Sequence, residues 1–238
     1  MYKIETHCHT KESSSCGQVS AKRLVQLYLR AGYDGLVVTD HFNRNNPREL
    51  LARGGNPVSF EAQVNRLFQG YWMAKDVAGD SMVVLPGMEI RFEYDINDYL
   101  IYGMTAEQLI EHPDIFQWGI EKFSSYAREK GLLIIHAHPF RNDMRIVDPQ
   151  LIDMVEVYNG HPRQTSRNEI AEYWAKIHDL SGSSGSDFHR DGDEGRGGVL
   201  LPEKPTTIKE FIHMMRQTPR LITEGVKYNE YSRNYKNQ

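Results

Sequence analysis

The chain has 238 residues, 39% of them apolar and 25% charged, with a net charge of −4 from 28 basic and 32 acidic side chains. Such a chain suits one soluble globular domain that can bury roughly 70–75% of its unfolded surface. It is neither disordered in composition nor globally attracted to nucleic acid or anionic membrane. Two cysteines, Cys8 and Cys16, are too few for a secreted disulfide framework and lack zinc-knuckle spacing. The opening MYKIETHCH has no signal-peptide form. No segment reaches the roughly 18 apolar residues of a membrane span, so a cytoplasmic location is expected.

In chain order, residues 2–9 read as a strand. Residues 19–30 have a helical spacing of apolar side chains at Leu24, Leu27 and Tyr28, and Gly32 can end that helix. Residues 35–39 form an apolar strand leading into Asp40 and His41. A polar loop is expected over 42–57, then a helix over 60–75. A strand at 82–85 is expected to break at Pro86-Gly87, with further strands at 88–94 and 99–102. A helix over 114–129 ends at Gly131, and a buried strand follows at 132–135. A strand at 152–158, a helix over 165–178 and a strand-like run from Leu180 toward Asp187 continue the alternation. Residues 199–201 are extended, 206–215 helical, and the polar stretch 229–238 is expected to fray. Strand and helix alternate with no linker, which predicts one α/β barrel domain over 1–238, with an open doubly wound sheet as the alternative.

Polar residues gather at the predicted strand ends: His7 and His9, Asp40 and His41, Glu89, His136 and His138, Glu156 and Asn159, Asp187 and His189. Barrel active sites form at such ends. His7 and His9 are two apart on an extended segment and share a face. Paired imidazoles with carboxylates such as Glu89 and Asp187 nearby match a divalent-metal site. His112, His178 and His213 lie on or near helices and read as structural, while His161 could line the cleft.

The segments HCHT at 7–10, TDH at 39–41, GME at 87–89, AHP at 137–139 and SDFH at 186–189 resemble the ordered motifs of the PHP (polymerase and histidinol phosphatase) superfamily. The resemblance implies a distorted (β/α)7 barrel with two or three divalent metals, zinc, manganese or iron. It implies that His7 and His9 hold a first metal with Glu89 and Asp187. Glu89 would bridge to a second metal that His138 also binds, and His41 and His189 would hold a third or stand in its outer part. Many members supply a carboxylate after the first histidine pair, and here Glu12 is the one available, unless it pairs with Lys11 or Lys22. Cys16 could be a soft ligand, and a buried small hydrophobe is the other reading. Asp98 stands where the family often has a histidine ligand. It is either a metal ligand or a turn residue after Asp95-Ile96-Asn97.

Arg141 and Arg196 leave the same rim, and guanidinium forks match phosphate oxygens. The run Asp191-Gly192-Asp193-Glu194-Gly195 departs from the EF-hand pattern and reads as a flexible rim loop. No P-loop or GxSxG motif is present. The expected function is hydrolysis of a small phosphoester by a metal-bridging hydroxide, with His189 or His41 protonating the leaving oxygen. C–N bond hydrolysis is the alternative, as is a structural or regulatory protein with a vestigial site. Neither an extended nucleic-acid surface nor a membrane partner is indicated.

Overall fold

The computed structural model describes residues 1–43 and 59–223. Most of the loop expected over 42–57, and the tail expected to fray over 229–238, lie outside the described residues. Strands β1 (Tyr2–Cys8), β2 (Gly35–Val38), β3 (His41–Phe42), β4 (Val83–Ile90), β5 (Tyr99–Tyr102), β6 (Leu133–His136), β7 (Met154–Asn159), β8 (Ser181–Gly185), β9 (Gly197–Leu201) and β10 (Arg220–Thr223) form one sheet. Its order is β10-β9-β1-β2-β4-β5-β6-β7-β8, with β3 on β4. Helices α1 (Ala21–Arg30), α2 (Phe60–Ala78), α3 (Ala106–Ile110), α4 (Gly119–Lys130), α5 (Asn168–Ile177) and α6 (Ile208–Met215), with 3₁₀ turns at Ile115–Gln117 and Pro149–Leu151, complete the described elements. Among the described residues no helix is long and apolar enough to cross a membrane.

The sheet curls into a nearly closed barrel, as expected of a distorted (β/α) barrel. Its two ends meet where β8 approaches β1 and β10: the Thr6 hydroxyl donates to the Ser184 carbonyl and the Ser184 hydroxyl to the Ile222 carbonyl. Glycine makes this approach possible. A Cβ on Gly185 would stand 2.4 Å from the His7 Cβ, and one on Gly197 would stand 2.2 Å from the Gly185 carbonyl carbon.

Helix α1 covers the outside, and α6 packs on the opposite, inward face. Leu24, Val25, Leu27 and Tyr28 of α1 bury against β1 and β2, which is the helical stripe legible in the sequence. Phe211, Ile212 and Met215 of α6 join residues of β1, β2, β4, β5, β6, β7 and β9 in a separate cluster. Ile212 also lies beside Gly103, at the end of β5 away from the functional residues.

Several boundaries differ from the sequence reading. β4 runs unbroken through Pro86 and Gly87. Pro86 pairs with Val38 of β2, and pairing to β5 on the other side begins only at Gly87. The missing N–H therefore falls where β4 changes neighbours. The helix expected over 114–129 is a 3₁₀ turn at Ile115–Gln117 followed by α4, divided at Gly119, whose φ is 66°. α3 begins with a Thr105–Gln108 capping box, a start signal carried by residue type and spacing, not by apolar periodicity.

Candidate metal centre

Pairing within the sheet delivers the functional side chains to one mouth. Phe188 bridges Cys8 in parallel, through Phe188 N–H to the His7 carbonyl at 3.2 Å and His9 N–H to the Phe188 carbonyl at 3.0 Å. Neighbours of a paired residue point to the opposite face, so His7, His9, Asp187 and His189 all face the mouth together. His41 and Glu89 are direct partners in the β3–β4 ladder. β5 runs antiparallel to both β4 and β6. Its first residue, not its last, therefore lies at the mouth, and this brings in Asp98, which immediately precedes it.

The side chains converge tightly. Glu89 Oε2 lies 3.5 Å from His7 Nε2, 3.4 Å from His9 Nε2 and 3.0 Å from His41 Nδ1, and Glu89 Oε1 lies 2.9 Å from His138 Nε2. Asp187 Oδ1 lies 3.5 Å from His7 Nε2, 3.3 Å from His9 Nε2 and 3.4 Å from His189 Nδ1. Asp98 Oδ2 lies 4.0 Å from His138 Nε2. Among the described residues, four sets bring ligand atoms within 4.8 Å of one another: His7-His9-Glu89, His7-His138-Asp187, Glu89-Asp98-His138 and His9-His41-His189. Glu89 belongs to two sets and could bridge two ions.

The residues present fit metal ions. His7 Nε2, both ring nitrogens of His9 and Glu89 Oε2 are buried without a hydrogen-bond partner among the described residues. An orphaned buried polar atom costs about 1–3 kcal/mol, and a divalent cation among these lone pairs removes that cost. The backbone is also constrained here: His138 and Asp187 have φ of 30° and 51°, a region that non-glycine residues seldom occupy.

An outer layer holds the ligands. Glu156 accepts from His7 Nδ1 at 2.8 Å, from the His138 N–H at 2.9 Å and from Asn159 Nδ2 at 2.9 Å. The His7 Nδ1 bond leaves Nε2 as the lone-pair nitrogen facing Glu89 and Asp187. Buried Glu5 accepts from the N–H groups of Thr6, His7 and Ser186, each at 2.9 Å, and from the Tyr28 hydroxyl at 2.7 Å. Arg91 forks onto Asp98, with Nε to Oδ1 at 2.7 Å and Nη2 to Oδ2 at 2.5 Å. Arg141 Nη2 donates to Asp187 and, at 2.7 Å, to Asn159 Oδ1. Sequence reading placed Glu156 at a strand end without giving it a role, and passed over Glu5 and Arg91. Arg91 was legible by alternation, since it follows Glu89 by two residues toward the same face.

Burial and mutual charge set the protonation. Burial opposes charge on His7, but Glu156, Asp187 and Glu89 override it and push its pKa well above 6.5. Burial likewise opposes charge on His41, which Glu89 and Cys16 raise. Burial and the neighbouring His41 and His189 hold His9 well below 6.5, so its ring is neutral. Burial works against ionised Glu89 and Asp187, yet His41 and His7 depress the first, and His7 and Arg141 the second, well below the usual carboxylate range. Burial would raise the Cys16 thiol, but hydrogen bonds with His189 and His41 bring it down to about 7.

The remaining candidates are placed as follows. Glu12 caps α1, where its Oε2 accepts the Ala21 N–H at 3.0 Å, and it belongs to none of the four sets. Arg196 donates from Nε to the Gly192 carbonyl at 3.2 Å. His136 is fully buried and stacks on Tyr99 at 5.4 Å; burial and His138 lower it to about 3. His161 stands edge-on to His189 at 5.1 Å, so it does line the cleft. His112 packs on Trp118 and Tyr126, and His178 on Trp174. The rim run expected to be flexible is anchored by Asp193. This buried residue accepts from the His189 and Arg190 N–H groups and pairs with Arg163 at 2.5 Å.

Comparison with known proteins agrees with this geometry. The barrel is similar to PsfC from Pseudomonas syringae, with a TM-score of 0.69 and 16% identity over 94% of this chain and 92% of that one. It is similar to a two-domain protein from Bacteroides vulgatus containing a predicted PHP-like metal-dependent phosphoesterase, with a TM-score of 0.61 and 16% identity over 93% of this chain. The match spans 64% of that longer protein's length. An amidohydrolase from Chromobacterium violaceum, with bound sulfate and no metal, also matches, with a TM-score of 0.51 and 15% identity over 90% and 96% of the two chains. No curated protein matches the sequence. The PHP domain family matches residues 5–228, and this chain therefore belongs to that family.

Proposed function

We propose that this protein hydrolyses a small phosphoester at a centre of two or three divalent metal ions, zinc, manganese or iron. The observation that supports this best is the buried convergence of His7, His9, Glu89, His138 and Asp187, among which His7 Nε2, both His9 nitrogens and Glu89 Oε2 lack a hydrogen-bond partner among the described residues. His7, His9, Glu89 and Asp187 would hold one ion, Glu89, Asp98 and His138 a second, and His41 and His189 a third. Bound metals would lower the pKa of water and neutralise charge on phosphoryl oxygens.

The chain's own residues would do the rest. Glu156 fixes the His7 ring so that Nε2 faces the centre. His189 bonds the Asp187 carbonyl through Nδ1 at 2.8 Å, leaving Nε2 to bind metal or to give a proton to the leaving oxygen. Arg141, which already donates to Asp187 at the edge of the cluster, would take a phosphate oxygen, and Arg196 is a second candidate. The two cysteines are free, in keeping with a reducing compartment such as the cytoplasm.

Amide hydrolysis is the second reading, because the same fold carries a protein named an amidohydrolase. Metal-loaded protein should be assayed on p-nitrophenyl phosphate, bis-p-nitrophenyl phosphate, phosphorylated metabolites and simple amides. Turnover of a phosphoester supports the proposal. Full metal occupancy with turnover of amides alone would replace it with the second reading.

A further inference from the structure

The loop between β1 and α1 is built more firmly than a surface connection requires. Asp40 accepts from the Thr10 N–H and hydroxyl, both at 2.7 Å, and from the Ser14 hydroxyl at 2.6 Å. Ser14 Oγ in turn accepts the His41 N–H at 2.9 Å. Ser13 ties the loop to α2, donating to the Arg66 carbonyl at 2.7 Å and accepting the Gly70 N–H at 2.9 Å. Gln18 N–H donates to the His189 carbonyl at 2.8 Å. The turn closes at Gly17, where a Cβ would stand 2.5 Å from the Thr10 carbonyl oxygen. Cys16 thus sits between one residue fastened to the His41 segment and one fastened to His189. Its thiol lies beside both imidazoles.

Three histidines face this spot. His9, His41 and His189 bring ring nitrogens within 4.8 Å of one another, and fully buried His9 has no hydrogen-bond partner on either nitrogen among the described residues. Three neutral imidazoles alone leave a divalent charge unneutralised. Of the carboxylates around this spot, Glu12 is taken by the start of α1 and Asp40 by its three donors, while Glu89, 3.0 Å from His41, and Asp187, 3.4 Å from His189, also belong to the inner sets. Cys16 is the remaining group on this loop that can supply a negative ligand atom.

We infer that Cys16 is a thiolate ligand of the outermost metal ion, completing a sulfur-and-imidazole site with His41 and His189 beside His9. Such a donor set selects a borderline or soft ion, Zn²⁺, Co²⁺ or Fe²⁺, over Mg²⁺ or Mn²⁺. The carboxylate-bearing sites around Glu89 have no such bias. The inference rests on the proposed metal centre, and its test separates the two.

The full chain, purified without metal, is titrated with Co²⁺ under anaerobic conditions and followed by absorption. A thiolate ligand is expected to produce a near-ultraviolet sulfur-to-cobalt charge-transfer band alongside the visible d–d bands. Cys16→Ser should lose the charge-transfer band and keep d–d bands from the remaining cobalt. Cys8→Ser should keep both, because Cys8 is buried and its thiol donates to the Val37 carbonyl at 3.2 Å. Thiol titration of the native chain provides a second readout that needs no variant. Cys16 should react when metal-free and be protected when loaded. Cobalt bound without the charge-transfer band, or a thiol equally reactive in both states, would overturn the Cys16 assignment alone. Absence of bound cobalt would overturn the metal centre with it.

Discussion

Glu156 touches no candidate ion, yet the geometry makes it a control point. One carboxylate oxygen takes the His7 Nδ1–H, and the other takes the His138 N–H and an Asn159 amide hydrogen, at 2.8, 2.9 and 2.9 Å. Glu156→Gln keeps the size but supplies only one acceptor atom. If that atom faces His7, the new amide hydrogens confront the His138 N–H. If it faces His138, they confront His7 Nδ1, which must shed its proton, so the proton moves to Nε2 and blocks ligation. Either way one well-formed bond is lost, worth roughly 1.5–3 kcal/mol if the carboxylate is ionised. Supporting residues of metal ligands typically contribute about 10–100-fold in affinity, or about 1.4–2.7 kcal/mol, the same range. Competition against a chromophoric chelator should therefore show metal affinity about 10–100-fold weaker in Glu156→Gln. Thermal unfolding of the metal-free variant should drop by roughly 2–4 °C per kcal/mol lost. A lowered melting temperature with unchanged metal affinity would refute the reasoning, since Glu156 would then only support the fold.

His7→Ala or Asp187→Ala should remove bound metal and activity together, whereas His178→Ala, beside Trp174 at the end of α5, should do neither; elemental analysis and turnover of the three decide it. Asp98→His should shift the second site toward zinc and Asp98→Ala should empty it, and anomalous scattering at the metal edges would show unchanged occupancy in both if Asp98 is only a turn residue held by Arg91. Loading metal near neutral pH should release protons from His7, His41 and His189, whose pKa values are raised, so affinity should fall as pH falls; calorimetry in buffers of different ionisation enthalpy would expose the idea as wrong if no protons were released. In the metal-free protein, raised His7 stabilises fully below its unfolded value near 6.5 and loses that contribution as pH rises through its folded value. Depressed Glu89 and Asp187 stabilise above about 4.5 and about 3.8 and lose it as pH falls through their folded values. Denaturant midpoints across pH should therefore decline on both the acid and the alkaline side.

Much of this could be read from the chain alone because it is local. The apolar strands, the stripe on α1 and the clustering of histidines and carboxylates at strand ends follow from residues a few positions apart. Ordered motifs from His7 to His189 were enough to point to a PHP barrel. Strand direction was not legible, because it depends on pairing between distant segments. Only the antiparallel course of β5 explains why Asp98, before a strand, sits with residues that follow strands. Pro86 reads as a break until β4 is seen to change partners there. Glu12 and Cys16 were both candidates on the same loop, and no local pattern ranks them. In the tertiary structure the start of α1 takes one Glu12 oxygen, while backbone ties to His41 and His189 hold the loop on either side of Cys16. Glu156 gained its role the same way, because its partners His7 and His138 are 149 and 18 residues away in sequence. Periodicity reports which side of an element is buried, but only long-range packing decides what that side touches.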